Sequence, residues 1–223
     1  MKTVLALMTA LAALPAAAHN LWLEPAEAGG LHLRYGEPEI RLLERSPGKL
    51  DALEPQRAQV LDRNSGALPW RRAEDGFVLH GPGAEADTVV EARASGARSR
   101  YYARHAAWPL KAAQPAMALD IVPTAEAGTF AVFFKGAPLT QGTLKVIAPS
   151  LWLQVHDIDE RGRVRIHMPW RGLYVLDVDT REPSPGGAPD PRQDGVVHRA
   201  TLSFSTPEGP AFERPQPAQF TAH

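Results

Sequence analysis

Prolines and glycines interrupt this chain at short intervals: 21 prolines and 18 glycines stand among 223 residues. Proline removes a backbone donor and clashes with the preceding helical turn, so such spacing argues against a helix bundle. Between the interruptions, apolar and polar residues alternate with a period of two, the pattern of strands buried on one side. In Asn20–Pro25, Leu21 and Leu23 fall on one face and Trp22 and Glu24 on the other. In Leu31–Tyr35, Leu31, Leu33 and Tyr35 point inward while His32 and Arg34 point outward. Further strands are expected over 56–62, 76–79, 88–92 and 99–103. The pattern lapses from Trp108 to Pro115, and a second set of strands is expected over 117–122, 129–134, 144–147, 151–156, 164–168, 172–178 and 196–204. Helical periodicity is suggested only over 47–59. The expected fold is therefore all-β: two tandem immunoglobulin-like or transthyretin-like antiparallel β-sandwich modules, over 19–112 and 113–207. Residues 182–194 read as a mobile loop and 208–223 as a disordered tail.

Composition removes several function classes. The chain has no cysteine, which excludes disulfides, thiolate metal sites, iron–sulfur clusters, a cysteine nucleophile and a lipidated N-terminal cysteine. With 24 basic and 25 acidic residues it offers no general attraction to nucleic acid or an anionic membrane. No G-x-S-x-G, H-E-x-x-H or phosphate-cradling glycine loop is present. Asp177 and Asp179 share one strand face as a carboxylate pair, which reads more simply as a solvated sheet surface. The expectation is a binding protein, not an enzyme.

The first residues carry an address. Met1-Lys2-Thr3, an apolar run to Leu14, then Pro15 and small residues at Ala16 and Ala18 have the form of a secretory signal, with cleavage expected after Ala18. The run is shorter than the roughly 20 apolar residues that span a bilayer, so the mature chain is expected outside the cytoplasm and not across a membrane. Cleavage there makes His19 the first residue. Its free α-amine and imidazole Nδ1 can then close a six-membered chelate ring on one metal ion, and nitrogen donors of this kind suit copper(II), nickel(II), cobalt(II) and zinc(II). One further imidazole would complete a histidine brace.

Eight histidines supply the candidates. His105, at the end of a strand beside Tyr101, Tyr102 and Trp108, and His198, at the start of the last strand, are the favoured partners of His19. His32 ranks next. His156 and His167 flank the turn Asp159–Gly162; if that turn closes a hairpin, His156 faces Arg165, Gln154 faces His167, and the two histidines sit on a diagonal about 7–8 Å apart. His80 reads as a loop residue and His223 as part of the tail.

The segment Ala18-His19-Asn20-Leu21-Trp22-Leu23-Glu24-Pro25 resembles the A-H-x-x-W-L-x-P start of a large family of bacterial periplasmic proteins. That family is described as the periplasmic component of cobalt and nickel uptake systems and otherwise as a domain of unknown function. The second half is similar too, in Asp159-Glu160-Arg161-Gly162-Arg163-Val164-Arg165-Ile166, in Gly172-Leu173-Tyr174-Val175-Leu176, and in the closing Ala200-Thr201-Leu202-Ser203-Phe204. Asn20 stands where the family often has aspartate, and His198 where an aromatic residue is expected. The resemblance implies a periplasmic protein that binds nickel or cobalt for uptake, with a membrane transport protein as partner. Donor chemistry alone favours copper, and the metal stays open among the three. The competing expectation is a metal-free accessory module of an envelope complex; a copper oxidase or oxygenase is the third.

Overall fold

The computed structural model describes residues 19–26, 29–61, 66–184, 186 and 195–212. The expected leader at 1–18, most of the loop at 182–194 and the tail from 213 lie outside the described residues. Among the described residues sixteen strands succeed one another: β1 Asn20–Pro25, β2 Leu31–Glu37, β3 Leu42–Leu43, β4 Leu53–Val60, β5 Trp70–Ala73, β6 Gly76–Leu79, β7 Thr88–Ala94, β8 Ser99–His105, β9 Leu119–Pro123, β10 Thr129–Phe134, β11 Ala137–Pro138, β12 Thr143–Ile147, β13 Leu153–Asp157, β14 Arg163–Arg165, β15 Gly172–Glu182 and β16 Val196–Thr206. Among the described residues the only helical pieces are 3₁₀ turns of three or four residues, and none could cross a membrane. The fold is all-β.

Among the described residues three sheets form three layers. The middle one has seven strands in the order β13-β12-β15-β16-β8-β7-β4. β16 and β8 pair in parallel, so strands from both sides of residue 112 share one sheet. Successive side chains of a strand point to opposite faces, and β8 shows how each face is used. Tyr101 and Ala103 join Leu21, Leu33, Phe77 and Val90 in the core beneath the five-stranded sheet of β1, β2, β3, β5 and β6. Tyr102 joins Leu119, Phe130, Leu176 and Phe204 in the core beneath the four-stranded sheet of β9, β10, β11 and β14. Strands buried on both faces lose their alternation: Tyr174–Val178 and Ala200–Phe204 are buried without a break. Fully burying each large apolar side chain in these cores contributes about 1.5–3 kcal/mol, so the two cores supply most of the stability of a cysteine-free chain.

Three local expectations are corrected. The helix suggested over 47–59 is a short 3₁₀ turn, Lys49–Ala52, leading into β4. Pro55 is incompatible with a helix interior, and it lies where β4 shifts register against β7. The turn Asp159–Gly162 forms, with Asp159 Oδ1 accepting the N–H groups of Arg161 and Arg163 at 2.8 Å each, but it does not close a hairpin. β13 pairs with β12 in the middle sheet and β14 with β10 in the four-stranded one. Ile158, Val164 and Ile166 are drawn into the core between these layers, and that burial splays the two strands. Finally, residues 208–212 return to the fold: Arg171 N–H donates to Pro210 at 3.1 Å, and Phe212 packs edge-on against Trp170.

Candidate metal centre

Strand β1 anchors His19. It pairs with β2 over all six of its residues, and its Leu21 and Leu23 are sunk in the core. The residue just before β1 is therefore only 6% exposed. The His19 ring lies 5.3 Å from that of Tyr35, whose hydroxyl is 3.3 Å from that of Tyr101.

The partner of this imidazole is Glu44, which the sequence did not mark. Glu44 arrives through a close approach at Gly36. β3 pairs with Gly36 and Glu37, and a Cβ on Gly36 would sit 1.9 Å from the Leu42 carbonyl oxygen, so only glycine lets β3 close on β2. Glu44 N–H then donates to Tyr35 at 2.9 Å, which extends the ladder and brings the Glu44 carboxylate onto His19 Nε2. Lys49 Nζ also reaches Glu44, at 3.2 Å. Burial works against the Glu44 charge, but hydrogen bonds from His19 and Lys49 outweigh it and hold this carboxyl below the usual carboxylate range. An ionised carboxylate only accepts, so His19 Nε2 carries a proton toward it, and in the neutral ring Nδ1 is left with its lone pair. Nδ1 is the nitrogen that can share a chelate with the α-amine.

On the other side of β1, Asn20 Nδ2 donates to Asp177 Oδ2 at 3.0 Å. Asn20 and Asp177 are 0% and 3% exposed, and among the described residues Oδ1 of each has no hydrogen-bond partner. Burial pushes the Asp177 carboxyl up to about 6, against the weaker pull of Lys145. An asparagine at position 20 can donate to this carboxylate, whereas an ionised aspartate there could not.

The favoured second ligands are elsewhere. His198 is on the opposite face of the middle sheet, stacked on Tyr102 with ring planes 1° apart and edge-on to Phe134. Both of its nitrogens are used: Nδ1 with the Tyr102 hydroxyl at 2.9 Å and Nε2 with Glu182 at 3.3 Å. It occupies an aromatic slot, as a residue that shares a face with Ala200, Leu202 and Phe204 must. His105 shares the face of Tyr101 but lies four residues further along β8, about 13 Å at strand rise. Its Nε2 meets the Ala84 carbonyl at 3.3 Å, and its Nδ1 has no partner among the described residues. His32 is held by Arg34 and Asp75. His156 and His167 line a hollow of about 540 Å³ with Gln154 and Arg165, and His156 contacts Gln154 at 3.3 Å. His80 is exposed and His223 lies outside the described residues. Among the described residues, no group of three or more His, Cys, Asp or Glu side chains is arranged to hold a metal ion.

His105 has a testable consequence for stability. Burial lowers its pKa below the ordinary histidine value of 6.5, so below about pH 6.5 the unfolded chain takes up a proton that the folded chain resists. This contribution to stability is present above that pH and lost as pH falls. H105Q is expected to lose less thermal stability than wild type between about pH 7.5 and about pH 5.5; parallel pH profiles would show that His105 does not set the acid sensitivity.

Comparison with known proteins returns no match to a family model, to a curated protein or to a solved structure.

Proposed function

We propose that the mature chain is a periplasmic binding protein for a transition-metal cation, copper, nickel or cobalt, held by the α-amine and Nδ1 of His19. The observation that supports this reading best is the hydrogen bond between His19 Nε2 and Glu44. Histidines that ligate metal characteristically give their other ring N–H to a carboxylate or carbonyl, which fixes the tautomer and makes the ligating nitrogen more basic. Here the carboxylate faces Nε2, so the free lone pair is at Nδ1, where the chelate needs it. Two protein donors from one residue leave the cation exchangeable, which suits delivery to a membrane transport protein better than permanent storage or catalysis. The resemblance at Ala18–Pro25 favours nickel or cobalt; the nitrogen donors favour copper in raw affinity.

The competing reading, a metal-free accessory module, draws on one observation. β13 is the outermost strand of the middle sheet, and Trp152, Leu153 and Val155 on or beside it are 53%, 40% and 59% exposed, an apolar edge of the kind that pairs with other proteins.

Titration of the mature chain with copper(II) and nickel(II) separates the two. One equivalent is expected to bind, and E44Q, which keeps the shape and removes the charge, is expected to bind about 10–100-fold more weakly. A mature chain that takes up neither metal overturns the metal reading in favour of the accessory module.

A further inference from the structure

β1 lies across the two carboxylates that share one face of β15. Asn20 is hydrogen-bonded to Asp177, and Trp22 packs with Val175 in a small apolar cluster. Each step of two along β1 thus matches a step of two backward along β15. Continued toward the start of the strand, that register carries β1 from Asp177 toward Asp179 and brings His19 over the gap between the two. The edge of β1 that faces the middle sheet is marked by the Leu21 carbonyl, which accepts from Thr201 Oγ1 at 2.6 Å. Thr201 is the cross-strand partner of Asp177, and Arg199 that of Asp179. Backbone polar groups two residues apart in a strand point to the same edge. The His19 nitrogen is therefore aimed at the edge that carries Thr201 and Asp177.

Two acceptors at this place lack donors. Among the described residues, Oδ1 of Asp177 and Oδ1 of Asn20 are buried without a partner, and Lys145 Nζ stands 3.8 Å from Asp177 Oδ2, outside hydrogen-bond distance. Orphaned buried acceptors, one of them on a carboxylate, are costly and call for a compensating donor. In a chain that continues upstream, the His19 nitrogen is an amide with one N–H and no charge. Hydrolysis of the 18–19 bond adds one water: the oxygen goes to the residue 18 carbonyl, which leaves as a carboxylate, and the nitrogen becomes an ammonium with three N–H donors.

We propose that Asp177, with Asn20 beside it, is the positioning residue that receives the α-ammonium group of mature His19. Cleavage then completes the polar cluster and fixes the amine at the end of β1, next to the imidazole with which it chelates. The proposal rests on the reading of His19 as the first mature residue, but not on metal.

The test is made without metal, in excess chelator. Thermal unfolding is compared for the mature chain, the same chain acetylated at the His19 amine, and D177N in both forms. The free terminus is expected to raise the midpoint by about 4 °C over the acetylated form, and D177N is expected to abolish that difference. E44Q, which alters the imidazole side only, is expected to leave it intact. The rate of His19 amine acylation at neutral pH supplies a second readout: slow in the mature wild type, faster in D177N. Equal midpoints for free and acetylated wild type, or a difference that survives D177N, overturns the proposal. Metal titration of the same samples distinguishes this proposal from the metal reading. A midpoint difference without metal uptake leaves Asp177 as the seat of the terminus and removes the metal; metal uptake without a midpoint difference does the reverse.

Discussion

Acetylating the α-amine of mature His19 is expected to weaken copper(II) and nickel(II) binding by about 10²–10⁴-fold, the usual gain from joining two donors in one ligand. The amide nitrogen that acetylation creates is a poor donor at neutral pH, so the imidazole is left to bind alone. His105 and His198 cannot rescue it: the first lies further along β8 and the second has both nitrogens engaged on the far face of the middle sheet. The pH profile should change with the affinity. A free α-amine ordinarily titrates near pH 7.7–8.0, and a cation must displace its proton. Affinity of the free-terminus chain should therefore fall by about tenfold per pH unit below that range, to the extent that the amine is the group being displaced. The acetylated chain should lose that part of the slope. Competition against a chelator of known affinity measures both. Equal affinities for the free and acetylated chains would move the metal away from the terminus, and the hollow at His156 and His167 would be the next place to look.

Much of the scaffold of this site is legible in the sequence, and the reason is local. The alternation in Asn20–Pro25 and Leu31–Tyr35 reappears as the β1–β2 pair that anchors His19. The alternation His198, Ala200, Leu202, Phe204 puts His198 on a core face, and the stacked Tyr102 and edge-on Phe134 show what that face does with an imidazole. What the sequence hid is the pairing between distant segments. The hydrogen bond from Tyr102 to His198 joins residues 96 apart in the chain. Glu44 comes directly after a strand of two residues, too short to carry a pattern, and its approach depends on the missing side chain of Gly36. Asp177 and Asp179 could be read as a pair on one face, but not as the face that β1 crosses. The hairpin inferred from Asp159–Gly162 failed for a related reason. Turn chemistry is local and formed as expected, whereas the strands on either side were claimed by different sheets.

The largest loss of stability is expected from D120A. Arg104 and Asp120 are both 0% exposed and joined by two hydrogen bonds, from Nε at 3.0 Å and from Nη2 at 2.7 Å. Asp120 also accepts the Ala116 N–H at 2.8 Å, and Arg104 donates to the Gln114 carbonyl at 3.2 Å. The pair thus pins the segment after β8 against β9, where the chain passes from its first half to its second. Removing the carboxylate leaves a guanidinium buried without a counter-charge, which costs about 3–5 kcal/mol. In a chain of this length each kcal/mol shifts the midpoint by about 2–4 °C, so a fall of about 10 °C is expected. D120N should recover only part of this, because it restores an acceptor for Ala116 N–H but not the charge. An apolar replacement of both partners should also fall short of wild type, since the Gln114 carbonyl and Ala116 N–H would remain unpaired. Arg104 lies on the face of the middle sheet opposite Tyr101 and Ala103, away from His19. At a temperature where D120A is still folded, its copper(II) affinity is therefore expected to match wild type. A D120A chain that melts within about 2 °C of wild type would show that water enters to solvate Arg104, and that the segment after β8 is held by packing and not by this pair.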